Sequence, residues 1–263
     1  MKIAISSTYD SKYLFFLPIV SYTWKLIGCD VICLMPAPVS SEDHKKLEIV
    51  KQYMPNNCSI YHFICNAEQA ATYSQCSRLY AASLCENDED WFMMSDIDMI
   101  VFSSDYFMME ANEGFTVFGA DLVPESQYPI CYIKGKVKYW KEHVTKGLSY
   151  QECLDNLLGD IQCENMRGNY WAKDQEEIYN IVSKTSPTLI KRARPNTQFA
   201  SNRLDRDDAY ILDRLNPDVL DYHINRPGYE DDKFAIIMSI LEHYYPGKNE
   251  WIKKYKESWI QTN

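Results

Sequence analysis

Between residues 2 and 102, short apolar segments alternate with longer amphipathic ones, and this alternation constrains the fold more than any other feature of the chain. Residues 2–6, 30–35 and 59–64 are apolar runs of strand length, and residues 12–27, 41–53 and 67–84 are helix-length amphipathic stretches. Strands that alternate with helices in this way pair in parallel, with the helices packed on the sheet faces, so the expected class is α/β with a mostly parallel central sheet flanked by helices. Ser40 or Ser41 reads as the N-cap of the second helix. The third helix is Ala-rich and free of Gly and Pro.

The pattern loosens further along. Strands are expected over residues 115–122 and 130–133, followed by an aromatic helix ending near His143 and a loop-and-helix excursion over 145–171. A helix over 173–184 leads into an irregular basic and polar segment, 188–208, and the chain closes with helices over 231–244 and 250–259. There is no internal repeat, low-complexity tract or linker, so the reading is one Rossmann-like domain over residues 1–263.

Charge and composition exclude several roles. The 263 residues carry a net charge of -10, which argues against a nucleic-acid-binding surface, because contact with a phosphate backbone needs a basic footprint. The apolar run at residues 13–20 is interrupted by Pro18 and falls well short of the roughly 18 to 20 residues of a membrane span, so no transmembrane segment is expected. The first strand begins directly after Met1 without a signal-peptide pattern, and a cytoplasmic location is the expectation. Nine cysteines, odd in number and without a Cys-x-x-Cys spacing, read as reduced thiols, most of them in apolar runs.

The chemistry is concentrated in residues 91–102, where Asp96 and Asp98 interrupt an apolar run. Two residues apart on an extended backbone point to the same side, so both carboxylates are expected to reach one object while Ile97 faces away. Two carboxylates that close resist joint ionisation unless a cation lies between them, and oxygen ligands suit hard divalent ions such as Mg²⁺ or Mn²⁺.

In the order of its short motifs the chain resembles the metal-dependent glycosyltransferases of the GT-A fold. The motifs are the Ser6-Ser7-Thr8 turn after the first strand, Gln75 and Arg78 on one helix, Ser95-Asp96-Ile97-Asp98, Asp174-Gln175, and Asp221-Tyr-His223. The resemblance implies a nucleotide-binding half over about residues 1–122 and an acceptor-side half over about 123–263. It implies that Ser6, Ser7 and Thr8 meet the base and ribose of a nucleotide sugar, most plainly a UDP-sugar. Gln75, Arg78 and Ser95 to Asp98 would surround the nucleotide. Asp96, Asp98 and His223 would hold Mn²⁺ (or Mg²⁺), the imidazole favouring manganese. Asp174 and Gln175 would face the sugar or the acceptor hydroxyl, which belongs to a glycan or a similar molecule.

Residues 191–194 (Lys-Arg-Ala-Arg), with Asn202 and Arg203, form the basic cluster of an acidic chain and read either as a solvated loop or as a lid that binds the diphosphate once the donor is in place. Trp140, Tyr170 and Trp171 are the residues best suited to stack on a sugar, although core packing is the more frequent fate of each. Two rival readings remain: a haloacid-dehalogenase-like phosphatase, using Asp96 and Asp98 with a second acidic motif at Glu230-Asp231-Asp232, and a nucleotide-sugar-binding module without turnover.

Overall fold

A computed structural model describes residues 1–109, 114–124, 126–159, 172–191, 202–208 and 210–262. Strand β1 (Lys2–Ser6) leads into two short helices, α1 (Ser11–Leu14) and α2 (Leu17–Leu26), then β2 (Asp30–Pro36), α3 (Ser41–Tyr53) and β3 (Cys58–Phe63). Helix α4 (Ala70–Tyr80), flanked by 3-10 turns, precedes β4 (Trp91–Met94), β5 (Met99–Val101), α5 (Ser104–Met108), β6 (Thr116–Phe118) and β7 (Ile133–Lys136). Then come α6 (Val137–Tyr139), which runs into a π-helical turn at Trp140–Thr145, α7 (Tyr150–Leu158), α8 (Lys173–Val182), β8 (Thr188–Ile190), β9 (Arg203–Asp205), β10 (Asp221–His223), α9 (Asp231–Tyr244) and α10 (Glu250–Thr262).

Seven strands form one sheet in the order β3-β2-β1-β4-β7-β6-β8, parallel throughout except for β7, and a smaller sheet has the order β5-β10-β9. The expected α/β class is therefore the observed one. Strand periodicity divides the large sheet between two cores. Ile3, Ile5, Val31, Cys33, Met35 and Met93 pack with α2, α9 and α10, whereas Ala4, Ile32, Leu34, Phe92 and Met94 pack with α4, α7 and α8. All these strands are buried on both faces, which is why they read as continuous apolar runs.

Several expectations are corrected. The helix expected over residues 12–27 is two helices, because Pro18, lacking an N–H, sits in the first turn of α2 and starts a new helix there. The strand expected at 115–122 is limited to β6, and the one expected at 130–133 is displaced to β7. The irregular segment contains β8 and β9. Most important, Asp96 and Asp98 do not lie on a strand: Ser95 to Asp98 form the turn between β4 and β5, which belong to different sheets. Among the described residues no helix is long and apolar enough to cross a membrane, and eight free cysteines are seen.

Candidate active site

The site lies where the two sheets meet, at the carboxyl end of β4. Ser95 N–H continues the β1–β4 pairing by donating to Ala4 O at 2.8 Å, and the chain then turns away from the large sheet. Beside it, at the carboxyl end of β1, Ser7 is buried, its N–H bonded to Leu34 O at 3.0 Å and its hydroxyl donating to Thr8 O at 2.8 Å. Ligands of open parallel sheets sit at such strand ends.

Arg78 is almost fully buried on α4 and reaches across to the turn. Its Nη1 donates to Ser95 O at 2.9 Å and pairs with Asp96 Oδ1, and its Nη2 lies 3.3 Å from Asp174 Oδ2. One guanidinium thus ties α4, the turn and α8 together. Gln75 accepts from Arg78 Nε through its backbone oxygen at 3.4 Å, so what it contributes in the structure is a main-chain contact.

Asp174 is 3% exposed, and its Oδ1 accepts from Gln175 N at 2.8 Å. It is not the cap of α8, since Ala172 occupies that position. Burial pushes its carboxyl up to about 6, an effect that Arg78 opposes and Asp96 reinforces. Gln175 is half-buried beside it, with its backbone oxygen turned to Tyr128 N.

Asp98 faces a different group. Its Oδ2 is 3.2 Å from Arg206 Nη1, 3.4 Å from His223 Nε2 and 3.5 Å from Arg226 Nε. Burial works against its ionisation, and His223, Arg226 and Arg206 together overcome that and hold the carboxyl below its usual range. His223 is placed by β10, which pairs antiparallel with β5 so that His223 lies opposite Met99, next to Asp98. Burial pulls its imidazole down, but hydrogen bonds to Asp205 and Asp98 more than reverse this, raising it to about 9. Arg226 also lies over the Tyr13 ring, 4.8 Å from the centroid, which links the loop after β10 to α1.

The two carboxylates of the Asp-x-Asp pair are therefore held by separate groups, Asp96 by Arg78 and Asp98 by a triad of cationic side chains. The expectation that both point at one object from an extended backbone is corrected, because a turn, not a strand, carries them, and Ile97 is buried between them. Asp98 and His223 are brought together. Among the described residues no three His, Cys, Asp or Glu groups converge as a closed cation cage.

Other expected residues fall elsewhere. Trp140 is fully buried, packed edge-on against Phe92 at 5.0 Å and Phe115 at 5.1 Å, and is a core residue. Tyr170 and Trp171 lie outside the described residues, as does most of the basic lid segment, 192–201. Arg203 is described, and it is no lid charge: its guanidinium meets the fully buried Asp221 through two contacts of 3.2 Å. Asp221 consequently braces β9 against β10 and has no free carboxylate for a ligand. Asp205, Arg206 and Arg226 escaped sequence reasoning. Their one visible signal was position, since Arg226 follows His223 by three residues and Asp205 and Arg206 follow Arg203 by two and three.

The sequence matches no family model and no curated protein. Solved structures, by contrast, share the fold. The galactosyltransferase LgtC in complex with donor and acceptor sugar analogs matches over 100% of both chains at a TM-score of 0.50 and 12% identity. The glycosyltransferase GlyE of Streptococcus pneumoniae TIGR4 matches at a TM-score of 0.51 and 13% identity over 97% of this chain and 64% of its own. The bifunctional glycosyltransferase WbbM matches at 0.53 and 12% over 98% of this chain and 51% of its own, so this chain spans about half of it. The fold is of the GT-A glycosyltransferase type.

Proposed function

We propose that the protein transfers a sugar from a nucleotide donor, a UDP-sugar in the first instance, to a hydroxyl of a glycan or similar acceptor, with a divalent ion, Mn²⁺ or Mg²⁺, at the Asp-x-Asp turn. One observation carries the reading: Asp98 and His223 meet 3.4 Å apart at the carboxyl end of β4, beside the buried Arg78–Asp174 pair. Fold likeness at this level of identity supports the class of chemistry without deciding it.

The residues suit a divalent ion. Asp98 draws three cationic side chains to one oxygen, yet at 3.2 to 3.5 Å all three stand beyond the roughly 2.7–2.9 Å of a strong charge-assisted hydrogen bond. Such a carboxylate is held ionised and attracts positive charge, as a metal ligand must. Asp98 and His223 would be ligands, with Asp96 joining if Arg78 yields it. When bound, the metal would supply Lewis-acid stabilisation of the leaving diphosphate. Arg206 and Arg226, released from Asp98, lie at hand for the same negative charge. Asp174 would face the sugar or acceptor hydroxyl, positioned by Arg78 and by the start of α8.

Release of nucleoside diphosphate from a panel of nucleotide sugars, with Mn²⁺ and candidate saccharide acceptors, tests the proposal. Turnover is expected with at least one UDP-sugar. Asp174→Asn should lower kcat by about 10² to 10⁴ while donor affinity changes little, as for a group that acts in the transition state. Donor binding without hydrolysis or transfer under any combination would favour a binding module, and wild-type turnover in Asp174→Asn would remove Asp174 from the chemistry.

A further inference from the structure

We propose that Asp205 is a positioning residue that holds the His223 imidazole with Nε2 turned towards Asp98, and that metal affinity at this site depends on it. The inference rests on the metal reading above and adds a residue that no sequence motif indicated.

The small sheet creates the arrangement. Strand β10 is its central strand, with β5 on one side and β9 on the other, and the parallel register of β9 and β10 sets Asp205 opposite His223. Opposed residues on paired strands project from the same face. Asp205 Oδ2 accordingly lies 3.3 Å from His223 Nδ1, while Nε2 points the other way, 3.4 Å from Asp98 Oδ2. Both ring nitrogens face carboxylates in the structure; a metal at Asp98 would take the place of the Nε2 proton, while Nδ1–H stays donated to Asp205, which fixes both tautomer and rotation.

Asp205 is itself held in place. Its Oδ1 accepts from Asp207 N at 3.2 Å, and its own N–H donates to Asp208 Oδ2 at 2.9 Å. Asp208 is paired with Arg214, whose Nη2 returns to Arg203 O at 3.2 Å. The carboxylate that meets His223 therefore belongs to a closed turn anchored to β9, and it needs no ligand to order it.

Mn²⁺ binding to the full-length protein in the presence of UDP, followed by electron paramagnetic resonance, tests this directly. Free Mn²⁺ reports affinity, and ¹⁴N modulation in the spin echo of bound Mn²⁺ reports a coordinated imidazole. Asp205→Ala and Asp205→Ser both remove an acceptor long enough to reach Nδ1, so one folded variant suffices. Each is expected to weaken Mn²⁺ binding by about 10- to 100-fold and to lose the ¹⁴N signature, as second-layer losses at metal sites do. Asp205→Asn keeps an acceptor oxygen and should retain the signature with most of the affinity. Unchanged affinity and an intact ¹⁴N signature in the short variants would overturn the role of Asp205 alone. A wild-type protein that binds no Mn²⁺ with UDP would overturn the metal reading, and this inference with it.

Discussion

Asp174 combines a cost to the fold with a role in the proposed chemistry. Its carboxyl is buried against α4, and burial lifts it from the ordinary value near 4 to about 6, although Arg78 stands 3.3 Å away. A folded state that binds this proton more tightly than the unfolded state has the full benefit below about pH 4 and loses it as pH rises through about 6. Asp174→Asn does not titrate, so its stability relative to wild type should climb between pH 4 and 6.5, measured by denaturant unfolding across that window. A constant difference would mean that Asp174 is ordinary in the folded protein. At this scale legibility was uneven. Asp96, Asp98, Arg78, Asp174 and His223 stood in short motifs and do gather at one place in the fold, in two linked groups. Asp205, Arg206 and Arg226 did not stand out, because their partners become neighbours only through strand pairing. Trp140 took the commoner of its two expected places, the core, and its letter alone could not choose, since an aromatic ring reads the same in a core as in a sugar site.

Among the elements, the turn between β4 and β5 matters most. Residues 91–102 read as one apolar strand because both flanking pieces are buried, yet they serve two different sheets and the polar Ser95 to Asp98 lies between them. Continuous hydrophobicity cannot reveal a change of sheet. The loop after β10 is the complementary case, fixed by packing that only the fold makes visible. A Cβ on Gly228 would come within 2.3 Å of a Phe16 ring carbon and 2.9 Å of Ile237 Cδ1, both in buried side chains. Overpacking of this kind costs about 1 to 3 kcal/mol, so Gly228→Ala should lower stability by that order in chemical denaturation. Because the same loop carries Arg226, the variant should also weaken UDP binding. Wild-type stability would show that the loop moves freely from α2.

For the whole molecule, the alternation of strand and helix was legible because a two-sided parallel sheet imposes a burial pattern on every strand. The second sheet was not, since its three strands are three residues each and two of them lie in polar sequence. That small sheet completes the site: it brings His223 and Asp205 to a turn supplied by the large one. An acidic protein of net charge -10 thereby concentrates Arg78, Arg206, Arg226 and His223 around the Asp-x-Asp pair, where the proposed anionic donor would meet them. In the proposed function, donor binding runs through a cation held at Asp98. Calorimetric titration of UDP into wild-type and Asp98→Asn protein, each with and without Mn²⁺, addresses it most directly. Mn²⁺-dependent UDP binding is expected in the wild type, with loss of that dependence in a folded Asp98→Asn variant. UDP affinity that is the same in both proteins, with the same response to Mn²⁺, would contradict it.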